Sequence, residues 1–173
     1  MNGSILQDAY RYTSHGAMVA RLQLLVSPGL QACAAYRLAH GFHVRGLRAA
    51  ALIVWRLGYQ LSGADICPSA SIGRGLRLPH PCGVVVGAGV QIGEECTLYA
   101  GVTLGVAHPD QPDEPYPTLG DRVVVGAGAK VLGGVQIGDD ARIGANAVVL
   151  HSAPAGSVAV GVPARVLRTD GQG

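Results

Sequence analysis

The chain has 173 residues, with 13 basic and 11 acidic side chains and a formal charge of +2, too mild a balance for a nucleic-acid binder. That length suits one domain with an appendage. Its 26 glycines recur at fixed spacing and so do not signal disorder, and the single Trp and single Phe suit a core too narrow for large rings.

The opening MNGSILQDAYRY has early polar residues and none of the features of a signal peptide. Residues 5–26 read as a helix, with Ser4 or Asp8 near its start and Ser27-Pro28 at its end. Pro28 opens a second helix that carries Leu30, Cys33, Ala34, Tyr36 and Leu38 towards Gly41. A third, over residues 47–61, is apolar nearly all round, which predicts burial against the rest of the chain or against a neighbouring subunit. It is too short to span a bilayer and carries Arg48 and Arg56, so a cytoplasmic protein is expected. Residues 1–63 therefore form a helical segment, and Ser62-Gly63 closes it.

From Ile66 onward a six-residue ladder begins. Ile66, Ile72 and Leu78 stand six apart, then Val86, Ile92, Leu98 and Leu104, then Leu119, Val125, Val131, Ile137, Ile143 and Val149. Four positions after most of them comes a smaller residue, including Ala70, Cys82, Val90, Cys96, Ala129, Ala141 and Ala147, and Ala88 also lies between rungs. This period fits neither a helix at 3.6 nor an alternating strand at 2. It fits a solenoid of triangular coils, with the aliphatic inside, a small partner sharing the interior, and glycine relieving the corner. Thirteen rungs at three per coil give four to five coils, a prism about 20 Å tall. The solenoid is expected over 64–168, with residues 169–173 as a frayed tail. Breaks at residues 79–85 and 106–118 mark ejected loops, where function usually sits.

Four cysteines, Cys33, Cys67, Cys82 and Cys96, form no CxxC pair and lack zinc-ligand spacing, so no metal is expected. Cys82 and Cys96 fall on small rungs and are expected as buried hydrophobes. Among six histidines, His15, His40, His43 and His151 read as surface or capping residues. His80 differs, because Pro79 and Pro81 hold it rigidly at the first break. A presented imidazole there suits a general base. His108, in the long loop, is a weaker candidate. Asp65 stands fifteen residues before His80, a little under one coil. It would lie beside the imidazole and fix its tautomer, or else cap the first turn.

The stretches SPGLQACAAYRLAHGFHVRG, GADICPSASIGRGLRLPHPCGVVVG, GVTLG, VVVGAGAKVLGGVQIGDDARIGANAVV and VGVPARVL, over residues 28–168, resemble the serine acetyltransferase family. The resemblance implies a left-handed parallel β-helix, at least trimeric, with acetyl-CoA bound in the groove between adjacent subunits. It implies His80 as catalytic base and Asp65 as its orienting carboxylate. Gly105, Ala127, Ala129, Ala145, Pro163 and Arg165 match parts of the coenzyme groove. Lys130, Arg142 or Arg165 would meet the coenzyme phosphates, or else be solvated corner charges.

Departures from the family bear on the acceptor. Its members carry Asp before the catalytic His, where this chain has Pro79. They carry an Arg-His pair in the long loop, where this chain has Pro115 and Tyr116, and an Asp near Ser14. An amino acid's ammonium and carboxylate need charged partners when desolvated. A retained reaction on an uncharged hydroxyl, such as a sugar's, is therefore expected, with His108 and Tyr116 as candidate acceptor contacts. The alternatives are a serine acetyltransferase with a rebuilt site and a silent trimeric scaffold. A metal-dependent hydratase on the same solenoid would need a third imidazole beside His80 and His108. The short N-terminal part and the RTDGQG ending lead to an expected trimer without the family's cysteine synthase complex.

Overall fold

The computed structural model describes residues 26–108, 110, 111 and 113–169, together with Ile5, Gln7, Asp8 and Arg11; of Arg168 and Thr169 only the backbone is described. Most of the first expected helix, Ser14 included, and the end of the tail lie outside the described residues. The other two helices are present as α1 (Pro28–His43) and α2 (Arg48–Ser62). Pro at the first turn starts α1, and Gly63 in the left-handed conformation, φ 71°, ends α2.

The six-residue ladder folds into a parallel β-helix with three faces. The first face stacks β1 (Asp65–Ile66), β3 (Val85–Val86), β6 (Thr103–Gly105), β9 (Lys130–Leu132) and β12 (Val148–Val149). The second stacks β2 (Ser71–Ile72), β4 (Gln91–Ile92), β7 (Thr118–Leu119) and β10 (Gln136–Ile137). The third stacks β5 (Thr97–Leu98), β8 (Val124–Val125) and β11 (Arg142–Ile143), followed by β13 (Ser157–Gly161) and β14 (Ala164–Thr169). Registers place like residues over one another: Ile66, Val86, Leu104, Val131 and Val149 form one internal column.

Every expected ladder aliphatic is buried, and the small partner is confirmed at Ala70, Val90, Cys96, Val102, Val123, Ala129, Ala141 and Ala147. Cys82 and Ala88 are corrected, because both are exposed. Two extra residues at the first break re-phase the coil. Val84, with its N–H on Pro81 O at 3.0 Å, takes the internal position before Val86. The glycines that follow the aliphatics serve close coil stacking. A Cβ on Gly93 would lie 2.5 Å from Gly120 O, and one on Gly126 would lie 2.6 Å from Ala145 N. Left-handed corner residues come later in each turn, at Arg122, Gly128, Asp140 and Asn146.

The parallel stack does not continue to residue 168 as expected. After β13 the chain reverses at Val162 and a cis Pro163, and β14 pairs antiparallel with β13. That hairpin covers the C-terminal edge of the third face, an edge that would otherwise offer a row of unpaired backbone groups.

The N-terminal edge is closed by α1. Tyr36 Oη donates to Ala70 O at 2.7 Å, and the ring nitrogen Nδ1 of His40 lies 2.8 Å from Pro68 O. A carbonyl only accepts, so that nitrogen carries the proton. Arg37 donates to Ile72 O and Gly73 O at 2.6 and 2.5 Å, and pairs with Asp8 at 3.0 Å. Asp8 is fully buried and accepts Leu76 N at 2.9 Å. It is therefore a clamp on the first coil. Tyr36, Arg37 and His40 of the YRLAH stretch all spend their donors on carbonyls of the open coil.

Within the protomer α2 is only partly buried, so burial against the rest of the chain is not met on its whole circumference. Only Ala51, Gly58 and Ser62 are buried, whereas Leu47, Leu52, Ile53, Leu57 and Leu61 are exposed. One side of the helix packs on α1 and β1, and among the described residues nothing covers the other. Among the described residues, no helix is long and apolar enough to cross a membrane.

Arg37→Ala should cost about 3 kcal/mol, because it strands the buried Asp8 charge and frees two carbonyls. The melting temperature should fall by roughly 10 °C in a thermal scan. Burial pushes the Tyr36 phenol from 10.0 up to about 12. A raised folded-state value means stability is present below the unfolded value and lost as pH rises from 10 towards 12. Unfolding followed across that window should show this loss, and Tyr36→Phe should flatten it.

Candidate active site

His80 sits on the edge where the third face turns into the first. Prolines on either side leave its backbone few alternatives, and its side chain is exposed. Among the described residues its imidazole makes no intramolecular hydrogen bond, so both ring nitrogens are available. The corner is fixed by its neighbours: Gly83 N donates to Gly63 O at 2.9 Å, and Gly101 N to Cys82 O at 3.0 Å.

The same edge continues upward through Ala127 and Ala145. Gly128 N bonds Ala100 O and Asn146 N bonds Ala127 O, each at 2.8 Å, so these corners stack directly on that of His80. The hairpin turn at Pro163 completes the line. Ala145 stands three coils above the His80 corner, about 14 Å at one strand spacing per coil. Ala127 and Ala145 are exposed, and among the described residues their N–H groups have no partner. A long, narrow ligand lying on this edge would meet small side chains and free backbone donors.

The other candidates divide. Gly105, His108 and Tyr116 lie on the opposite edge of the first face, about 15 Å away across one strand and its corners. A Cβ on Gly105 would meet nothing within 4 Å, so that surface is open. His108 Nδ1 lies 3.4 Å from Glu114 Oε1. Both line a cleft of about 690 Å³ with Pro115, Gly133, His151 and Ser152. Tyr116 is committed to structure, because its ring lies on the glycine corner where a Cβ on Gly87 or Gly89 would come within 2.6 Å. Arg142 faces outward from the third face, and Arg165 is exposed on β14.

Two groove candidates are internal or occupied. Ala129 is fully enclosed, with its N–H on Gly126 O and its C=O accepting Thr103 N. It shapes the prism and has no atom to offer a groove. Lys130 Nζ donates to Gly101 O at 2.5 Å and Thr103 Oγ1 at 3.1 Å, so the ammonium lies along the first face.

Asp65 begins β1 with its N–H on Val84 O at 2.8 Å, which ties it to the strand that follows the His80 corner. Its Oδ1 accepts the indole N–H of Trp55 at 2.9 Å, and among the described residues no hydrogen bond joins it to His80. Catalytic contacts are commonly looser before substrates bind. Trp55 carries no sequence signal beyond being the sole tryptophan.

Comparison with known proteins gives concordant results. A profile of the bacterial transferase hexapeptide (six repeats) matches residues 116–151, and one of the hexapeptide repeat of succinyl-transferase matches residues 82–105. A serine acetyltransferase of Helicobacter pylori strain J99 is 50% identical over 147 residues, covering 85% of each chain. One from Mycobacterium tuberculosis is 46% identical over 167 residues, covering 96% of this chain and 72% of the relative. A solved soybean serine acetyltransferase complexed with serine superimposes with a TM-score of 0.87 at 35% identity, covering 95% of this chain and 68% of that one.

Cys82, two residues past His80, reports on this edge. It should react readily with Ellman's reagent at pH 8, whereas Cys33 and Cys96 are buried. Burial pushes the Cys96 thiol up to about 11, leaving roughly one part in a thousand as thiolate at that pH. Mass mapping that finds Cys96 labelled first in the native protein would contradict the coil phase that turns Cys82 outward.

Proposed function

The chain belongs to the serine acetyltransferase family and is an acetyl-CoA-dependent acyltransferase, and we propose that His80 is its general base, acting on an acceptor hydroxyl beside the edge described above. One observation carries this reading: the rigid, exposed imidazole shares its edge with Ala127 and Ala145, whose small side chains leave backbone N–H groups free. In the reaction, His80 takes the hydroxyl proton, and the oxygen attacks the thioester carbonyl. The tetrahedral oxyanion is steadied by backbone donors. Collapse breaks the C–S bond, and the imidazolium returns its proton to the departing thiolate. The coenzyme phosphates would be met by Arg142 or Arg165, whose guanidinium groups suit bidentate phosphate contact; Lys130 is the weaker candidate.

We also infer a trimer. Gly105 and the His108 loop lie on one edge of the first face, and His80 with Ala127 and Ala145 on the other. One protomer therefore does not close a groove around a thioester, whereas a three-fold arrangement would set one edge against a neighbour's opposite edge. A cytoplasmic location agrees with an acyl donor drawn from metabolism.

For the acceptor, the chain's own residues favour an uncharged hydroxyl, such as a saccharide's. Where the family carries Asp, Arg and His, this chain has Pro79, Pro115 and Tyr116. Pro115 packs towards Gly134, and Tyr116 is spent on the glycine corner. Neither supplies the charge that an amino acid's ammonium or carboxylate requires. L-serine is the second reading, favoured by the identity with proteins named serine acetyltransferases and by the His108–Glu114 pair as a replacement charge source.

Thiol release from acetyl-CoA should fall by roughly 10²–10⁴ in His80→Ala if the imidazole is the base; unchanged turnover would remove it from the mechanism. In an acceptor panel, a saccharide hydroxyl should exceed L-serine in kcat/KM by at least about tenfold, a gap of about 1.4 kcal/mol in transition-state binding. Saturable turnover with L-serine in the opposite order would establish the second reading.

A further inference from the structure

Among the described residues, the helical segment touches a side chain of the proposed site at the bond from Trp55 to Asp65. That contact is rigidly built. Gly58, one turn along α2, lies so close to α1 that a Cβ there would be 2.5 Å from the Ala35 methyl. Ser62 Oγ donates to Gly58 O at 2.7 Å and accepts Ala64 N at 3.3 Å. Gly63 N bonds Tyr59 O at 2.8 Å across the left-handed turn. Two residues later, Asp65 is locked into the ladder by Val84 O. Donor and acceptor are thus held by helix packing on one side and by strand pairing on the other, not as two mobile side chains meeting in solvent.

We propose that Trp55 is a positioning residue for the His80–Asp65 pair, its indole N–H pinning one carboxylate oxygen so that the other is presented to the imidazole. This rests on the reading of His80 as base and Asp65 as its orienting partner, and extends it to a residue outside the solenoid. Outer hydrogen bonds of this kind fix the rotamer of the group that touches the catalytic one. A carboxylate kept beside an imidazole favours the imidazolium and a single tautomer. Releasing that carboxylate lets the wrong nitrogen carry the proton.

Trp55→Phe keeps the ring's bulk and removes the N–H. The imidazole of His80 would be titrated by NMR in wild type, Trp55→Phe, Asp65→Asn and the double variant. Trp55→Phe should move the His80 titration towards that of Asp65→Asn, with near-normal melting. The double variant should match Asp65→Asn alone. With acetyl-CoA and a hydroxyl acceptor that turns over, kcat in Trp55→Phe should fall roughly tenfold with KM for acetyl-CoA unchanged. The chain holds one tryptophan, so its single indole N–H signal gives an independent readout without touching Trp55. That signal should move with the His80 titration in wild type and lose the movement in His80→Ala. This separates His80 from His43, which lines the cleft beside Trp55. An unmoved His80 titration in Trp55→Phe, an indole signal indifferent to His80, or a further drop in the double variant each overturns the proposal. If Asp65→Asn alone leaves His80 unmoved, the underlying pairing is what fails, and the role of Trp55 goes with it.

Discussion

Coil-to-coil stacking is the constraint on which everything else rests. Each short strand satisfies its N–H and C=O groups only on the coil above or below, so the structure tolerates no unmatched layer in its middle and must close both ends. The interior is too narrow for anything but one aliphatic and one small or modest side chain per rung, as the columns through Ile66 and Val149 show. The glycine at Gly93 is enforced by the same closeness, since a methyl there would meet the Gly120 carbonyl. Exposed corner pairs, Arg74 with Glu94 at 2.9 Å and Arg122 with Asp140 at 2.7 Å, decorate this scaffold and add little to its stability.

The ends are closed by different chemistry. At the C-terminal end, β14 folds back as an antiparallel strand. At the N-terminal end, side chains substitute for a missing coil: Tyr36, Arg37 and His40 deliver donors to four carbonyls of the first turn. Arg11 adds its guanidinium to Gly75 O and Glu95 O. The helix that performs this closure also sets the depth of α2, through the close contact of Gly58 with Ala35. That depth brings Trp55 to Asp65, so the closure of the fold and the support of the candidate site share one element.

Function follows from the edges. A prism offers flat faces without concavity, so a ligand site must come from a corner line and whatever is set against it. His80 stands on such a line with Ala127 and Ala145 above it, while the ejected loop with His108 and Glu114 stands on another. The separation of these groups is the physical reason for proposing a symmetric neighbour.

The hexad pattern by itself determined that a three-sided coil forms, which aliphatics point inward, and that His80 is presented at a break, because a fixed period and two flanking prolines are local properties. The residues alone also carried the family resemblance that the comparisons bear out. Phase across a break was not local. Two extra residues moved Val84 into the core and turned Cys82 and Ala88 out, a shift that repeat counting missed. Which edge each groove candidate occupies, the enclosure of Ala129, the seat of Tyr116 on glycines, and the indole on Asp65 were decided only by the tertiary structure. Each depends on contacts between residues distant in sequence, from ten positions for Trp55 and Asp65 to twenty-nine for Gly87 and Tyr116.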